Sequence, residues 1–296
     1  IKPLYYRQFG GNLYLSSEIK PLLKLGNYRQ DFQAIYNYFQ YSFYEDVDQT
    51  FFEEVKQFQP NHYYVIKNNK IFSKKCYWDL KKKINTQKKI NSLEEAKNFF
   101  SLHFDRVSDY YSRSDRKIGL LYSSGLDSNF ILNLLNKKQK NISLLLTFGF
   151  EAKNLEDEIA FVKNNVIENF IHRFKIDEFL YQTKKIQIEQ EMPWGGPNVF
   201  FQGYLMQKAK DLGHRVVLSA DGADEIFGGY NKYLNLKKVD AEYVNRAIDN
   251  SVPYHADIFK KNFNLNKKTK FILPNKNNFD CARYIDITFS KLPKKF

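Results

Sequence analysis

The spacing of apolar positions changes character near residue 92. Before it, the runs NLYLSS, HYYVIK and IFSKKCYW are short, aromatic and partly alternating, and Gly or Asn turns separate them. This pattern predicts β-strands. Between them, DFQAIYNYFQY carries apolar residues at Phe32, Ile35, Tyr36 and Phe39, the spacing of a short amphipathic helix. Residues 80–91 are rich in Lys and poor in apolar residues, and they read as a linker or domain boundary.

From Ser92 the period lengthens. Ser92 and Glu95 form a capping-box pattern, and Ala96, Phe100, Phe104, Val107 and Tyr111 follow at helical spacing. KIGLLYS then predicts a strand buried on both faces, and SNFILNLLNKK a helix. NISLLLTFGF is a second strand, LEDEIAFVKNNV a helix, FIHRFKI a third strand and HRVVLSA a fourth. FFQGYLMQKAKDLG is a helix whose Gly213 suits its end. Strands and helices alternating in this way predict a parallel sheet with crossover helices. Pro193, Pro197 and the nearby glycines predict a stiff loop over 192–203, close to the carboxyl edge where such sheets bind ligands.

Composition narrows the class. A chain of 296 residues holds two modest domains or one large one, and 43% hydrophobic with 27% charged residues is globular usage. No apolar run reaches the roughly 18 residues of a membrane helix. The net charge of +13 has two readings, a polyanionic partner or a solvated surface. The lysines are dispersed along the chain rather than gathered on one helix, which favours the solvated surface. Cys76 and Cys281 lie far apart and fit a reducing cytoplasm, and the five histidines form no zinc pattern.

Two stretches carry candidate chemistry. S-S-G-L-D-S, Ser123 to Ser128, lies between a buried strand and a helix. N–H groups at such a helix start favour an anion, Gly125 permits close backbone approach, and Asp127 beside a phosphate implies Mg²⁺. The same six residues also make an ordinary turn capped by Ser128 or Asp127, and alone they do not decide. LSADGADEIFGGYNKY, 218–233, puts Asp221, Asp224 and Glu225 within five residues after another buried strand. Carboxylates so close call for a metal or other cation, and Gly228-Gly229 at a helix start would cost stability. If the sheet is parallel, both turns share one edge, where Asp127 and Asp224 can bridge one Mg²⁺.

S-S-G-L-D-S resembles the PP-loop, S-G-G-x-D-S, of ATP pyrophosphatases. With S-A-D-G-A-D-E-I-F-G-G-Y it resembles the synthetase domain of class B, glutamine-dependent asparagine synthetases. EMPWGGPNVFFQGYLMQKAKDLGHRVVLSADGADE is similar to that family nearly position by position. IKPLYY, LSSEIKPLL and QPNHYYVI followed by CYWDL are similar to the later part of its glutaminase domain. The resemblance implies an α/β synthetase domain over 80–296, preceded over 1–79 by part of an α+β N-terminal-nucleophile glutaminase domain.

The resemblance also implies a chemistry. ATP activates the carboxylate of aspartate as an acyl-adenylate, and ammonia released from glutamine then displaces AMP. It gives ATP and pyrophosphate contacts to Leu121, Ser123, Ser124, Gly125, Asp127, Ser128, Phe148, Ser219, Ala220 and Gly222. Asp127 and Asp224 would ligate Mg²⁺, and Asp221 and Glu225 would be catalytic. Asn61 stands where the family has Gly, a mild change because Asn tolerates positive φ. The family's N-terminal nucleophile is a cysteine, whereas this chain starts at Ile1 and ends before the family's D-R motif. It therefore reads as a fragment that does not itself hydrolyse glutamine. Small-molecule substrates are the expected partners, with no membrane and no nucleic acid, and a homodimer is left open. The other readings are a related amidotransferase acting on another acceptor, such as a surface-polysaccharide sugar, a tRNA-modifying PP-loop enzyme, and a non-catalytic remnant that binds ATP or a partner.

Overall fold

The computed structural model describes residues 3–41, 48–86, 89–123, 125–138, 140–148, 168–173, 175–191, 197–233 and Arg283. The chain divides into two compact units, 1–87 with 222–296, and 88–221. No helix among the described residues is long and apolar enough to cross a membrane.

In the first unit, β1 (Tyr5–Phe9) and β2 (Asn12–Ser16) form a hairpin closed by Gly10 and Gly11. Both glycines have positive φ, 55° and 80°, as a two-residue turn matched to the strand twist requires. β3 (Val55–Gln57) pairs with β1 on its other side, also antiparallel. Tyr5 and Val55 pack there against Ile19 and Leu22 of α1 (Ile19–Leu23). Buried Arg7 ends α1, donating to the carbonyls of Leu22 at 2.9 Å and Gly26 at 3.2 Å, and to that of Asn27. α2 (Phe32–Tyr41) starts under Asp31, whose Oδ1 accepts from the Ala34 N–H. β4 (His62–Lys67) and β5 (Lys70–Cys76) form a separate hairpin turned by Asn68 and Asn69. Within the stretch 80–91, read as a linker or domain boundary, residues 80–86 form a helix, α3 (Leu80–Thr86), and the division between the two units falls just after it. Asp79 Oδ1 accepts from the Lys82 N–H, so a cap starts a turn that apolar content alone does not reveal.

The second unit opens with α4 (Leu93–Tyr111), capped as predicted: Ser92 Oγ accepts from the Glu95 N–H at 3.0 Å. β6 (Ile118–Leu121), α5 (Leu126–Lys137), β7 (Ile142–Phe148) and β8 (Glu168–Arg173) follow. Next come α6 (Ile176–Gln190), α7 (Pro197–Asp211) and β9 (Val216–Leu218). The helix expected over 155–166 lies outside the described residues. The expected loop over 192–203 is helical from Pro197, a residue suited to a first helical position because it has no N–H to leave unpaired. α7 ends at Gly213 (φ 81°), with the His214 N–H bonded to the Ala209 carbonyl at 2.8 Å.

The four strands of this unit are parallel, in the order β8-β7-β6-β9. The chain steps outward from β6 to β7 to β8 and then returns to lay β9 on the other side of β6. Both faces are covered. Leu120, Ile142 and Leu144 pack with Leu132 and Leu135 of α5. Leu145 packs with Leu205 and Ala209 of α7. Gly119 lies at the centre, where a β-carbon would stand 2.9 Å from Cδ1 of Leu145. A side chain at that position of central β6 would therefore require Leu145 to shift.

Candidate active site

β6 and β9 are adjacent and parallel, so the turns that leave their carboxyl ends, at Tyr122 and Ser219, emerge on one sheet edge. This is also the point where strand order reverses, the crevice in which open α/β sheets bind ligands.

The β6 turn is held by its own side chains. Gly125 is the N-cap of α5, with extended backbone and no capping side chain, so neither Ser128 nor Asp127 caps the helix. Ser128 instead points inward and is 2% exposed. Its Oγ donates to the Gly125 carbonyl at 3.1 Å and accepts from the Ser123 N–H at 3.3 Å. Asn129, which sequence reasoning missed, adds a second tie: Nδ2 donates to the Gly125 carbonyl, and Oδ1 accepts from the buried Tyr122 hydroxyl at 2.8 Å. Asp127 lies in the first helical turn and is partly exposed. Ser124, whose φ decides how well a serine replaces glycine there, lies outside the described residues. Leu121 ends β6, half-buried against the α7 side of the sheet. Phe148 ends β7, and its side chain lies outside the described part.

On the β9 side, Ser219 Oγ donates to Asp221 Oδ2 at 2.9 Å. Gln202 of α7 reaches the same carboxylate with Nε2, 3.3 Å from Oδ1 and 3.1 Å from Oδ2. Ala220 and Asp221 are half-buried. No sequence pattern marked Gln202, a polar residue in a helix whose neighbours Phe200, Tyr204 and Leu205 are buried.

The segment after Asp221 belongs to the first unit. Gly222 has φ 98°, a conformation that favours glycine, and leads into α8 (Ala223–Phe227). The sequence placed Gly228-Gly229 inside a helix at a cost, but the helix stops before them. Gly228 is a left-handed cap at φ 76°, and the N–H groups of Gly228 and Gly229 both bond to the Asp224 carbonyl. This is the normal way for glycine to end a helix. Asp224 is partly buried against Gly229. Glu225 is 1% exposed, with Oε1 accepting from the Tyr230 hydroxyl at 2.8 Å. Arg283 Nε donates to the Glu225 carbonyl at 3.0 Å, and its guanidinium also reaches the Ile226 carbonyl.

An uncapped helix start beside small polar residues fits a nucleotide's phosphates. Among the described residues no group of three or more His, Cys, Asp or Glu is gathered to hold a metal ion. Mg²⁺ held by one or two carboxylates and by phosphate oxygens needs no such group, so the residues present fit Mg²⁺ arriving with ATP.

A family model described as Asparagine synthase matches residues 105–272, more than half of the chain. The chain belongs to the asparagine synthase family. A second model, Glutamine amidotransferase domain, matches residues 1–78. The asparagine synthetase [glutamine-hydrolyzing] 1 of Bacillus subtilis is 28% identical over 239 residues, 79% of this chain and 36% of that protein. A putative asparagine synthetase [glutamine-hydrolyzing] 2 of Methanocaldococcus jannaschii is 31% identical over 261 residues, 81% of this chain and 47% of that protein. An amidase of Gibberella zeae is 24% identical over 79% of this chain. The chain thus spans less than half the length of these asparagine synthase relatives.

Proposed function

We propose that the protein belongs to an enzyme that converts aspartate to asparagine at the expense of ATP. A carboxylate oxygen attacks the α-phosphorus, the bond to the β-phosphate oxygen breaks, and pyrophosphate leaves. Ammonia attacks the carbonyl carbon of the acyl-adenylate and AMP departs, leaving the amide. In the longer protein glutamine would supply the ammonia.

What supports the reading is the placement of the two turns at the carboxyl ends of adjacent parallel strands, at the reversal of strand order, in a chain of this family. Ser123, Ser124, Gly125, Asp127 and Ser128 would cradle the pyrophosphate. The Ser128 hydroxyl, engaged within the turn, would shape the cradle while its backbone faces the anion. Leu121, Phe148, Ser219, Ala220 and Gly222 would border the nucleotide. Asp127 and Asp224 would hold Mg²⁺, which when bound neutralises phosphate charge. Asp221 would take a proton from the attacking ammonia. Glu225, read with Asp221 as catalytic from the sequence, is enclosed and tied to Tyr230, and in this proposal it shapes the loop.

The test is pyrophosphate release from ATP, Mg²⁺, aspartate and ammonium. Release that depends on aspartate is expected, and its absence overturns the reading. The match to an amidase favours trying other carboxylate acceptors in the same assay. Release with one of them but not with aspartate would move the substrate and keep the chemistry.

A further inference from the structure

The Asp221 carboxylate is fixed from two directions, and one of them is a helix nineteen residues earlier in the chain. Ser219 holds Oδ2 from the strand end, while the Gln202 amide on α7 spans both oxygens. Oδ2 takes the two shorter of these three bonds, at 2.9 Å and 3.1 Å. Gln202 is itself held in place. A β-carbon on the next residue, Gly203, would stand 3.0 Å from Cγ2 of Ile186, so α6 and α7 pack at close range at this point. Ile186, Phe200 and Tyr204 form a core on either side of it. The amide therefore hangs from a helix that has little freedom to shift.

Aspartate has a short reach, and a general base works only within hydrogen-bond distance of its proton. A carboxylate that rotates freely about Cβ–Cγ would spend much of its time turned away. A donor spanning both oxygens removes that rotation.

We infer that Gln202 is a positioning residue for Asp221, fixing the plane of its carboxylate toward the reacting acyl group. The inference rests on the amide-forming reading above. Two substitutions separate its parts. Gln202→Met keeps the length of the side chain and removes the donor. Gln202→Glu keeps the shape and sets a second carboxylate against the first.

Pyrophosphate release from ATP, Mg²⁺, aspartate and ammonium is measured for the full chain and both variants, with thermal melting alongside. The expected result is a kcat about 10-fold lower for Gln202→Met and about 100-fold lower for Gln202→Glu, with KM for ATP held within about twofold. A purely structural residue would lower the melting temperature and the active fraction without this ordering. If Gln202→Met does not fold, the near-isosteric Gln202→Glu decides by the same measure. Unchanged kcat in the folded variants, or a rise in KM at constant kcat, overturns the role of Gln202 and leaves the amide-forming reading standing. No release from the unsubstituted protein overturns that reading, and the role with it.

Discussion

The Asp224 carboxylate lies so close to the backbone of Gly229 that a β-carbon there would stand 2.0 Å from Oδ1 and 3.1 Å from Cγ. No side chain fits at 229 unless the carboxylate moves. If Asp224 serves Mg²⁺, Gly229→Ala should raise the Mg²⁺ needed for half-maximal pyrophosphate release by about 10-fold or more. Gly228→Ala meets a different obstacle, a φ of 76°, and should instead cost about 1 kcal/mol in urea unfolding. A Gly229→Ala protein with an unchanged Mg²⁺ requirement would separate Asp224 from the metal.

Ser128 gives the β6 turn its shape from inside. Ser128→Ala leaves the Ser123 N–H and the Gly125 carbonyl without its hydroxyl, in a place where the side chain is 2% exposed. A loss of about 1–3 kcal/mol is expected in urea unfolding. If the turn holds phosphate, KM for ATP should rise with it. Lost stability at constant KM would mean that the turn is scaffolding alone.

Asn61 precedes β4 with φ 63°, in the left-handed region. Asparagine tolerates this region and so stands in for the family's glycine at little cost. Asn61→Gly should leave the melting temperature nearly unchanged, whereas Asn61→Val should cost about 1–2 kcal/mol because its β-carbon meets the following carbonyl. Equal stability for the two variants would contradict the positive φ.

Lys138, beyond the end of α5, joins two carboxylates of α4, with Nζ 2.5 Å from Asp109 and 2.9 Å from Asp105. The hydrogen bond from Lys138 holds the Asp109 carboxyl below its ordinary range, and Asp109 followed by Asp105 holds the ammonium above its own. A depressed carboxyl stabilises the fold above its unfolded value and loses that effect as pH falls through the folded one. A raised ammonium stabilises below its unfolded value and loses the effect as pH rises through the folded one. The melting-temperature gap between the wild type and Lys138→Met should therefore be flat near neutral pH and shrink in acid. It should also shrink with salt. A gap unchanged down to acid pH would assign the loss to the lysine's methylene packing.

Much of the sheet and little of its order was legible in the sequence. The apolar runs at 118–121 and 142–148 and the cap at Ser92 stand in local pattern. The pairing of β6 with β9 does not, because Ile118 and Val216 come together from positions far apart in the chain. α6 was missed: its exposed Leu180, Tyr181 and Ile188 blur the apolar stripe that would mark it. α3 was hidden by lysines, since its start rests on the Asp79 cap. The two carboxylate turns were legible because glycines and acids cluster there. Gln202 was not, because a lone glutamine in a helix looks like surface until the partner carboxylate is folded against it.

Glu225 tests how far an acidic residue in a motif must be a reacting one. It is buried, Tyr230 holds Oε1, and Oε2 has no hydrogen-bond partner among the described residues. Around it the loop is braced by Arg283 at the last carbonyls of α8, the end of a helix that favours a cation. Tyr230→Phe strips Oε1 of its hydroxyl donor in an enclosed space and should cost about 1–3 kcal/mol in urea unfolding, with activity falling in step. Glu225→Gln keeps the volume and still accepts from Tyr230 through its carbonyl oxygen. If Glu225 only shapes the loop, that variant should keep pyrophosphate release within about tenfold of wild type, whereas losing a catalytic acid or base costs about 10²-fold or more. Release abolished at an unchanged melting temperature would instead return Glu225 to the reacting atoms, and would require the loop to open around it during turnover.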